Sequence, residues 1–344
     1  MKFLRAMLLA FIFIAPLVGA PSAVLAWGLK GHTIINHLAA ASLRASVPAF
    51  MRTPTAIAEL SNLGIYLDLQ KGAGTAWDAA YDPGHYLDLQ ADNTVSGLPL
   101  DALPATRPAY DTALRARGTN QFEMGYVPYS ILEGWQQLRM DFAYWRVDNY
   151  ESTHSKPATV RAKALAYARV DEAIVLRDAG VWGHYVGDAS QPLHITVHFN
   201  GWGKYPNPNS YSNSPHMHDL FETDFVERSV TQAGVAKLLA PLSVPQSTEL
   251  VSNQQALSAI ERYLKGSNAM VEPLYRIEKS GGFKHATPES VTFAEGRLAY
   301  GASELRDLIV WAWQDSLNET IGDDAPQKVR AIVNGSTAYK GSYL

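Results

Sequence analysis

Apolar residues recur at helical spacing through most of the chain. A period of three to four residues predicts helices over residues 33–49, 123–150, 158–188, 247–270 and 291–316. The third of these segments is apolar nearly all round, which indicates a central, buried helix. Pro157 is placed for the first turn of that helix, and Ser247 is a candidate N-cap for the fourth. The pattern predicts an all-α fold with a single large helical domain.

Two segments between the helices differ from the rest in composition. Residues 68–110 and 199–215 are rich in Gly, Pro, Asn and Asp, so they are predicted to be long ordered loops rather than strands. Loops of this length in a compact domain usually carry function. The evidence for strands is thin along the whole chain.

The first 26 residues have the pattern of a secretory signal rather than of a folded element. Lys2 and Arg5 form a basic start, residues 6–20 are almost wholly apolar, and small residues precede Trp27. The alternative is a membrane anchor, but the apolar run is short for a span of about 20 residues. We therefore expect cleavage before Trp27, a secreted or periplasmic location, and one domain over residues 27–344.

Composition narrows the ways in which this domain is held together. Removal of the signal takes away two positive charges, so the formal net charge falls from −4 to −6. Such an acidic protein is not built for strong nonspecific duplex binding, although divalent cations in a site can neutralise phosphates locally. The chain has no cysteine, which excludes disulfides and thiol chemistry. Its stability must come from core packing or from metal.

The segment from His184 to His194 has the strongest chemical pattern. His184 and Asp188 are four residues apart, which places them on one face of a helix, and Gly187 between them allows close approach. Pro192 ends the helix, so that His194 enters the site from another direction. Buried polar side chains need a partner, and a metal ion would supply one. The alternative is a set of hydrogen-bonded core histidines.

Other histidines and carboxylates repeat this pattern. His218 and Glu222 are again four apart on a predicted helix, for which a charged surface helix is the alternative. Asp68 and His85 bracket a Gly-rich loop. Because thiolates are absent and the donors mix imidazole with carboxylate, the set favours zinc over Mg²⁺ or Ca²⁺.

Trp27 would become the N-terminal residue after processing. Its amine, with an unperturbed pKa of about 8, and its carbonyl could together chelate a metal ion. His32, five residues later, could return to the same ion. The alternative is that Trp27 is a packed terminal aromatic.

With these residues in this order, the chain resembles the S1/P1 nuclease family, which forms one superfamily with the zinc-dependent bacterial phospholipases C. The resemblance runs from Trp27 to about Glu227. It implies an all-α fold, three zinc ions and hydrolysis of phosphoric esters, with Asp68 as the catalytic residue that orients or deprotonates the nucleophile. The implied ligands are Asp68, His85, His184 and Asp188 for the first ion, His194, His218 and Glu222 for the second, and the Trp27 amine and carbonyl, His32 and the shared Asp188 for the third.

The resemblance also implies a substrate site. Tyr86 matches an aromatic residue that stacks on a nucleobase, and Asp88 matches one that hydrogen-bonds to the base edge. Lys71 matches a basic residue that binds phosphate. His216 stands where the nucleases have an asparagine that helps to bind phosphate. Alternatively, Tyr86 belongs to the core and Lys71 is a solvated surface charge.

The chain departs from each branch of the superfamily. Glu222 and Ser190 match the phospholipases C, whereas the spacing from Trp27 to His32 and the presence of Lys71 match the nucleases. We expect a monomeric single-strand nuclease and 3′-nucleotidase that releases 5′-phosphorylated products and requires no protein partner. The alternatives are a phospholipase C acting on phospholipid headgroups and an inactive relative that zinc stabilises.

Overall fold

Helices make up about 64% of the protein, and the strands are confined to two short pairs. The computed structural model describes residues 27–72, 74–322, 325–341 and 343–344. The prediction of an all-α fold is confirmed. The predicted signal sequence lies outside the described residues, so cleavage before Trp27 stays a prediction.

The described residues form fifteen α-helices. These are α1 (Gly28–Ala41), α2 (Pro54–Leu63), α3 (Tyr66–Gln70), α4 (Thr75–Tyr81), α5 (Arg107–Arg115), α6 (Gln121–Met124), α7 (Val127–His154), α8 (Ala158–Asp188), α9 (Met217–Asp219), α10 (Val226–Ser229), α11 (Gln232–Lys237), α12 (Asn253–Asn268), α13 (Val271–Lys279), α14 (Pro288–Asp315) and α15 (Val329–Val333). Five 3₁₀ helices and one π-helical segment accompany them: Ala49–Arg52, Asp82–His85, Leu100–Ala102, Pro192–His194, Ser316–Asn318 and, as the π-helix, Leu220–Phe225.

The strands form two antiparallel pairs of two residues each. Strand β1 (Thr94–Val95) pairs with β2 (Leu98–Pro99), with Val95 opposite Leu98. Strand β3 (Thr320–Ile321) pairs with β4 (Gln327–Lys328). Neither pair extends into a sheet in the described residues.

The hydrophobic core lies between α7, α8, α14 and α1. A three-residue connection joins α7 to α8, as expected for two helices that pack side by side as a hairpin. Trp135 of α7 packs against Trp311 of α14 with 4.9 Å between ring centroids. The indole of Trp182 donates to the carbonyl of Ile131 at 3.0 Å, so a large apolar side chain is buried with its N–H satisfied.

A buried amide connects α1 to two of its neighbours. The side-chain nitrogen of Asn36 donates to the carbonyls of Leu60 at 2.9 Å and Gly180 at 2.8 Å. A Cβ on Gly183 would lie 2.6 Å from the Asn36 oxygen, so this glycine allows α8 to approach α1. The start of α1 is thereby fixed near the C-terminal half of α8.

Several predicted helix boundaries are wrong. Helix α1 begins at Gly28 and ends at Ala41, earlier than the predicted residues 33–49. Ser247 is not the N-cap of α12: that helix begins at Asn253, because Ser252 and Gln255 form a reciprocal capping box. Capping chemistry, rather than the apolar period, sets this boundary.

The prediction of one long loop over residues 68–110 is also wrong. This stretch contains α4, the 3₁₀ helix at 82–85 and the β1–β2 pair, and α5 begins within it. By contrast, residues 199–215 contain no α-helix or strand, in agreement with the prediction. Across the part of the chain that the structure describes, no helix combines the length and the apolar character needed to cross a bilayer.

Candidate metal centre

Eight predicted ligand side chains come together where the C-terminal end of α8 meets the start of α1. All eight are buried. They come from separate elements: His184 and Asp188 from α8, His32 from α1, Asp68 from α3, His85 and His194 from 3₁₀ helices, His218 from α9, and Glu222 from the π-helical segment.

Three of these side chains form a tight triangle of donor atoms. Asp188 Oδ2 lies 2.8 Å from His85 Nδ1 and 3.4 Å from His184 Nε2. The two histidine nitrogens are 3.0 Å apart. Tetrahedral zinc, with bonds of about 2.0–2.1 Å, separates its ligand atoms by about 3.3 Å. The triangle therefore has the size of one face of such a site.

The other oxygen of Asp188 faces a second group of donors. His32 Nε2 lies 3.3 Å from Asp188 Oδ1 and 3.9 Å from Asp68 Oδ2. His184 Nε2 lies 3.5 Å from Asp68 Oδ1. A Cβ on Gly187 would stand 3.0 Å from His32 Nδ1, which confirms that this glycine permits close approach. Asp188 therefore presents one oxygen to each of two neighbouring groups of donors.

A third group lies on the other side of His85. Glu222 Oε2 is 2.9 Å from His218 Nε2 and 3.5 Å from His194 Nε2. His218 of α9 and Glu222 of the π-helical segment are neighbours along the chain, whereas His194 comes from the 3₁₀ helix Pro192–His194. π-Helical turns are frequent at functional sites, where they shift side chains relative to α-helical spacing.

Backbone carbonyls orient two of the histidines. The Nδ1–H of His184 donates to Gly64 O at 2.8 Å, and that of His194 donates to His85 O at 2.9 Å. Each bond fixes the tautomer, so that the Nε2 lone pair of each ring faces the cluster. Metal-bound histidines usually have such a partner on the other nitrogen.

Burial affects the protonation of these rings. Burial lowers the pKa of His85 to about 4, with Lys71 nearby contributing in the same direction. Burial also holds the pKa of His184 well below its usual value. Both imidazoles are therefore neutral at physiological pH, the form in which they can bind a metal ion.

The carboxylates respond to different neighbours. Burial alone would raise the pKa of Asp188, but His184 and His194 hold it well below its ordinary value. Burial likewise opposes ionisation of Glu222, while His218 and His194 lower its pKa to about 2. Asp68 differs because burial raises its pKa despite the nearby Lys71 and His32.

Trp27 packs directly against this centre. Its side chain is 0% exposed, and its indole N–H lies 2.9 Å from both Gly187 O and Ser190 Oγ. Its ring lies 5.4 Å from that of Phe221. These contacts place Trp27 beside residues that neighbour Asp188 and Glu222. Ligation by its amine and carbonyl stays a prediction.

Unsatisfied buried atoms indicate that the donor set is made for a cation. His32 Nε2, His194 Nε2 and Glu222 Oε1 have no hydrogen-bond partner although they are buried. Leaving such groups unpaired is costly, and a metal ion would repay that cost. The protein thus contains buried His, Asp and Glu clusters that could hold metal ions.

The structure also locates the predicted substrate residues. Lys71 Nζ lies 2.7 Å from Asp68 Oδ1, at the edge of the centre. Tyr86 and Asp88 follow His85 and are partly buried, and burial raises the pKa of Asp88 to about 7. His216 is exposed and lines a surface cavity of about 630 Å³ whose lining includes none of the predicted ligands, and its contact with substrate phosphate stays a prediction.

Two supporting residues were not anticipated as part of the site. Gln191 donates through Nε2 to Glu222 Oε2 at 2.9 Å. Arg297 donates through Nε to Ser190 O at 2.9 Å and through Nη2 to Ser267 Oγ at 2.8 Å, which connects α14 and α12 to the turn after α8. Gln191 lies between two predicted ligands in the sequence and could have been found there. Arg297 is more than 100 residues away, and no local signal marks it.

Comparisons with protein-family models and with curated proteins give no match for this chain.

Proposed function

We propose that this protein is a secreted, zinc-dependent hydrolase of phosphoric esters that acts as a single-strand nuclease and 3′-nucleotidase. The observation that supports this proposal is the convergence of eight buried imidazole and carboxylate side chains around Asp188 and Glu222, in three groups of which two share His184. Together with the Trp27 amine and carbonyl, these donors suit three zinc ions.

Zinc bound here would supply Lewis acidity and activate a water molecule as nucleophile at neutral pH. The protein's own groups have distinct roles. Asp68, whose pKa burial raises, would accept a proton from the nucleophile and orient it. Lys71, 2.7 Å from Asp68, would bind a phosphate oxygen at the edge of the centre. Tyr86 would stack on the base and Asp88 would hydrogen-bond to its edge.

The Lys71–Asp68 contact favours a nucleic-acid substrate over a phospholipid. A choline headgroup carries positive charge and is normally held in an acidic or aromatic cage. A lysine at the mouth of the site would repel that charge, whereas it would attract the phosphates of a polynucleotide. Glu222 and Ser190 remain the features that favour a phospholipase C.

A substrate panel tests the proposal directly. The purified secreted protein should be assayed on single-stranded RNA, single-stranded DNA, 3′-AMP, phosphatidylcholine and p-nitrophenyl phosphorylcholine. We expect cleavage of both polynucleotides and release of phosphate from 3′-AMP. Hydrolysis of the choline esters alone would replace the nuclease with the phospholipase, and no hydrolysis at all would favour the zinc-stabilised inactive relative.

The role of Asp68 requires its own variant. Asp68→Asn keeps the shape of the side chain but removes the proton acceptor and weakens the metal site. We expect at least a 100-fold loss of kcat, more than the loss of a supporting residue usually causes. Asp101→Asn, an exposed aspartate, should retain wild-type activity. Full activity in Asp68→Asn would contradict the mechanism.

A further inference from the structure

Three large aromatic residues lie exposed beside the metal centre. Trp77 and Tyr81 of α4 are 40% and 45% exposed, and Phe122 of α6 is 44% exposed. Large apolar side chains are usually buried, so an exposed group of them beside a polar site commonly marks a binding surface.

The rings of Trp77 and Tyr81 already stack on each other. They are one helical turn apart on α4, with ring centroids 4.2 Å apart and planes inclined by 28°. The pair is therefore stacked before any ligand arrives. A preformed aromatic surface loses little entropy when a flat ligand binds to it.

Contacts with the surrounding elements hold α4 in place. The Tyr126 hydroxyl donates to Ala80 O at 2.5 Å, and the backbone N–H of Gly72 donates to Asp78 Oδ1 at 3.0 Å. A Cβ on Gly84 would lie 3.1 Å from the Tyr126 ring, so this glycine allows the tyrosine to pack against the 3₁₀ helix. The aromatic pair is thereby anchored to the segment that carries His85.

The distance from this pair to the centre suits a neighbouring nucleotide. The 3₁₀ helix Asp82–His85 begins directly after Tyr81. At a rise of about 2 Å per residue, it separates Tyr81 from His85 by about 8 Å along its axis. Tyr86, the proposed partner of the first base, lies at the other end of the same helix.

Two cations lie near the segment that carries the aromatic pair: Lys71 acts on Asp82, and Arg107 lies over Tyr126, whose hydroxyl contacts α4. Lys71 lies on the side of the metal centre, and the Arg107 guanidinium lies 4.7 Å from the Tyr126 ring centroid and 3.1 Å from Glu133. Positive charge beside exposed rings is the combination that binds single strands, since the rings stack on bases while the cations accompany the backbone. A bilayer would suit this surface less, because α4 and the 3₁₀ helix after it also carry Asp78 and Asp82, which would lose their water.

We propose that the Trp77–Tyr81 pair is a second base-stacking site, which binds a nucleobase neighbouring the nucleotide whose phosphate occupies the metal centre. The proposal rests on the nuclease activity proposed above, and it names the substrate as an oligonucleotide rather than a mononucleotide. Stacking reads the face of a base and not its edge, so this site would tolerate any sequence.

The test compares a short strand with a mononucleotide. The double variant Trp77→Ala/Tyr81→Ala should raise KM for a single-stranded tetranucleotide by roughly 5- to 150-fold, the range that ~1–3 kcal/mol of stacking per base corresponds to. Its kcat/KM for 3′-AMP should stay within about twofold of wild type. Fluorescence anisotropy with a hydrolysis-resistant phosphorothioate tetranucleotide should show a rise in Kd of the same size.

Two matched variants separate stacking from simple apolar contact. Trp77→Phe/Tyr81→Phe keeps two rings and should restore most of the affinity, whereas Trp77→Leu/Tyr81→Leu keeps apolar character without a ring and should not. Tyr167→Ala removes an exposed tyrosine of α8 that lies about 25 Å along the helix from His184, and it should behave as wild type.

The outcomes distinguish this proposal from the proposed activity. If the wild type binds the tetranucleotide through Trp77 and Tyr81 but hydrolyses nothing, the stacking site stands and the nuclease reaction fails. If the wild type cleaves oligonucleotides and the Ala variant binds and cleaves them equally well, the stacking site is wrong. Equal losses of kcat/KM on the tetranucleotide and on 3′-AMP would also overturn it. So would binding of the protein to lipid vesicles that persists in the Trp77→Leu/Tyr81→Leu variant.

Discussion

Helix α8 carries a buried carboxyl group at its C-terminal end and a half-buried one in its middle, and the two differ in what surrounds them. At its C-terminal end, Asp188 faces the histidines of the metal centre, which hold its pKa well below the usual value in spite of burial. In its middle, Asp171 shares a hydrogen bond with Asp148 of α7. Burial and the neighbouring Asp148 raise the pKa of Asp171 to about 8.

The difference shows two ways in which a protein can bury a carboxyl group. One is to provide positive charge, which keeps the group ionised and ready to bind a cation. The other is to retain a proton, so that two carboxyl groups can share a hydrogen bond. Asp141 of α7 belongs to the second kind, since burial raises its pKa to about 7 beside Asp178. On α8, only the first region has the donors to hold metal.

Replacement of aspartate by asparagine should have different consequences in the two regions. Asp188→Asn removes the carboxylate placed between two groups of ligands, so we expect more than a 100-fold loss of activity and loss of bound zinc, measured by kinetics and by elemental analysis. Asp171→Asn is the matched control on the same helix and should keep wild-type zinc content and activity. Equal losses in both variants would mean that the two regions are not functionally distinct.

Removal of metal should lower the stability of the protein through the donors around Asp188, and not through the carboxyl groups around Asp171. Chelation leaves buried donors such as Glu222 Oε1 and His194 Nε2 without a partner. We expect a loss of about 3 kcal/mol or more in the free energy of unfolding, since a ligand at 100 times its Kd contributes about 2.7 kcal/mol per site. Added zinc should restore both stability and activity.

The Asp188→Asn variant is the control for this experiment, because its stability should respond much less to the chelator. Wild-type stability that chelation leaves unchanged would contradict a structural contribution from metal. Activity that zinc does not restore would count against zinc as the catalytic metal.

An extension of the chain before Trp27 should have a smaller and more specific effect on activity. Two extra residues before Trp27 would block its amine, while the indole contacts with Gly187 and Ser190 could persist. We expect loss of one of three zinc ions by native mass spectrometry and a 10- to 100-fold fall in activity, the range seen when part of a metal site is perturbed. Equal zinc content and rate in the extended protein would show that the Trp27 amine is not a ligand.

The sequence predicted the residues of the candidate metal centre better than it predicted the helix boundaries. His184 and Asp188 could be paired because helical spacing is a local property, and the structure brings them to 3.4 Å. The contact of His32 with Asp188 depends on how α1 packs against α8, which no local pattern encodes. The family resemblance supplied that grouping in advance.

Other features depend on chemistry that periodicity does not register. Helix α12 starts at Asn253 because Ser252 and Gln255 cap it, although apolar spacing favoured an earlier start. The short helix α4 was missed because Gly and Pro residues around it indicated a loop. The role of His216 was predicted from the resemblance alone; the residue is exposed, and its contact with phosphate stays a prediction.

The smallest expected effect concerns the dependence of stability on pH. Asp171 has a folded-state pKa of about 8, whereas an unfolded aspartate titrates near ~3.9. The folded protein therefore binds more protons between these values, so the free energy of unfolding should fall as pH rises from about 4 to about 8 and then level off. Asp148, Asp141, Glu172, Glu151 and Tyr343 surround this group and contribute to the same titration.

Asp171→Asn should reduce this slope, because a neutral amide can still donate to Asp148 without titrating, while Asp88 and Asp141, with pKa values of about 7, keep their own contributions. Urea unfolding at pH 5 and pH 8 should show a difference on the order of 1 kcal/mol in wild type and less in the variant. The measurement belongs on chelated protein, since zinc binding itself depends on pH. Glu172→Gln, one position along α8, should keep most of the wild-type slope. An unchanged slope in Asp171→Asn would mean that the carboxyl groups of this region are not proton-linked to folding, and the contrast with Asp188 would rest on metal alone.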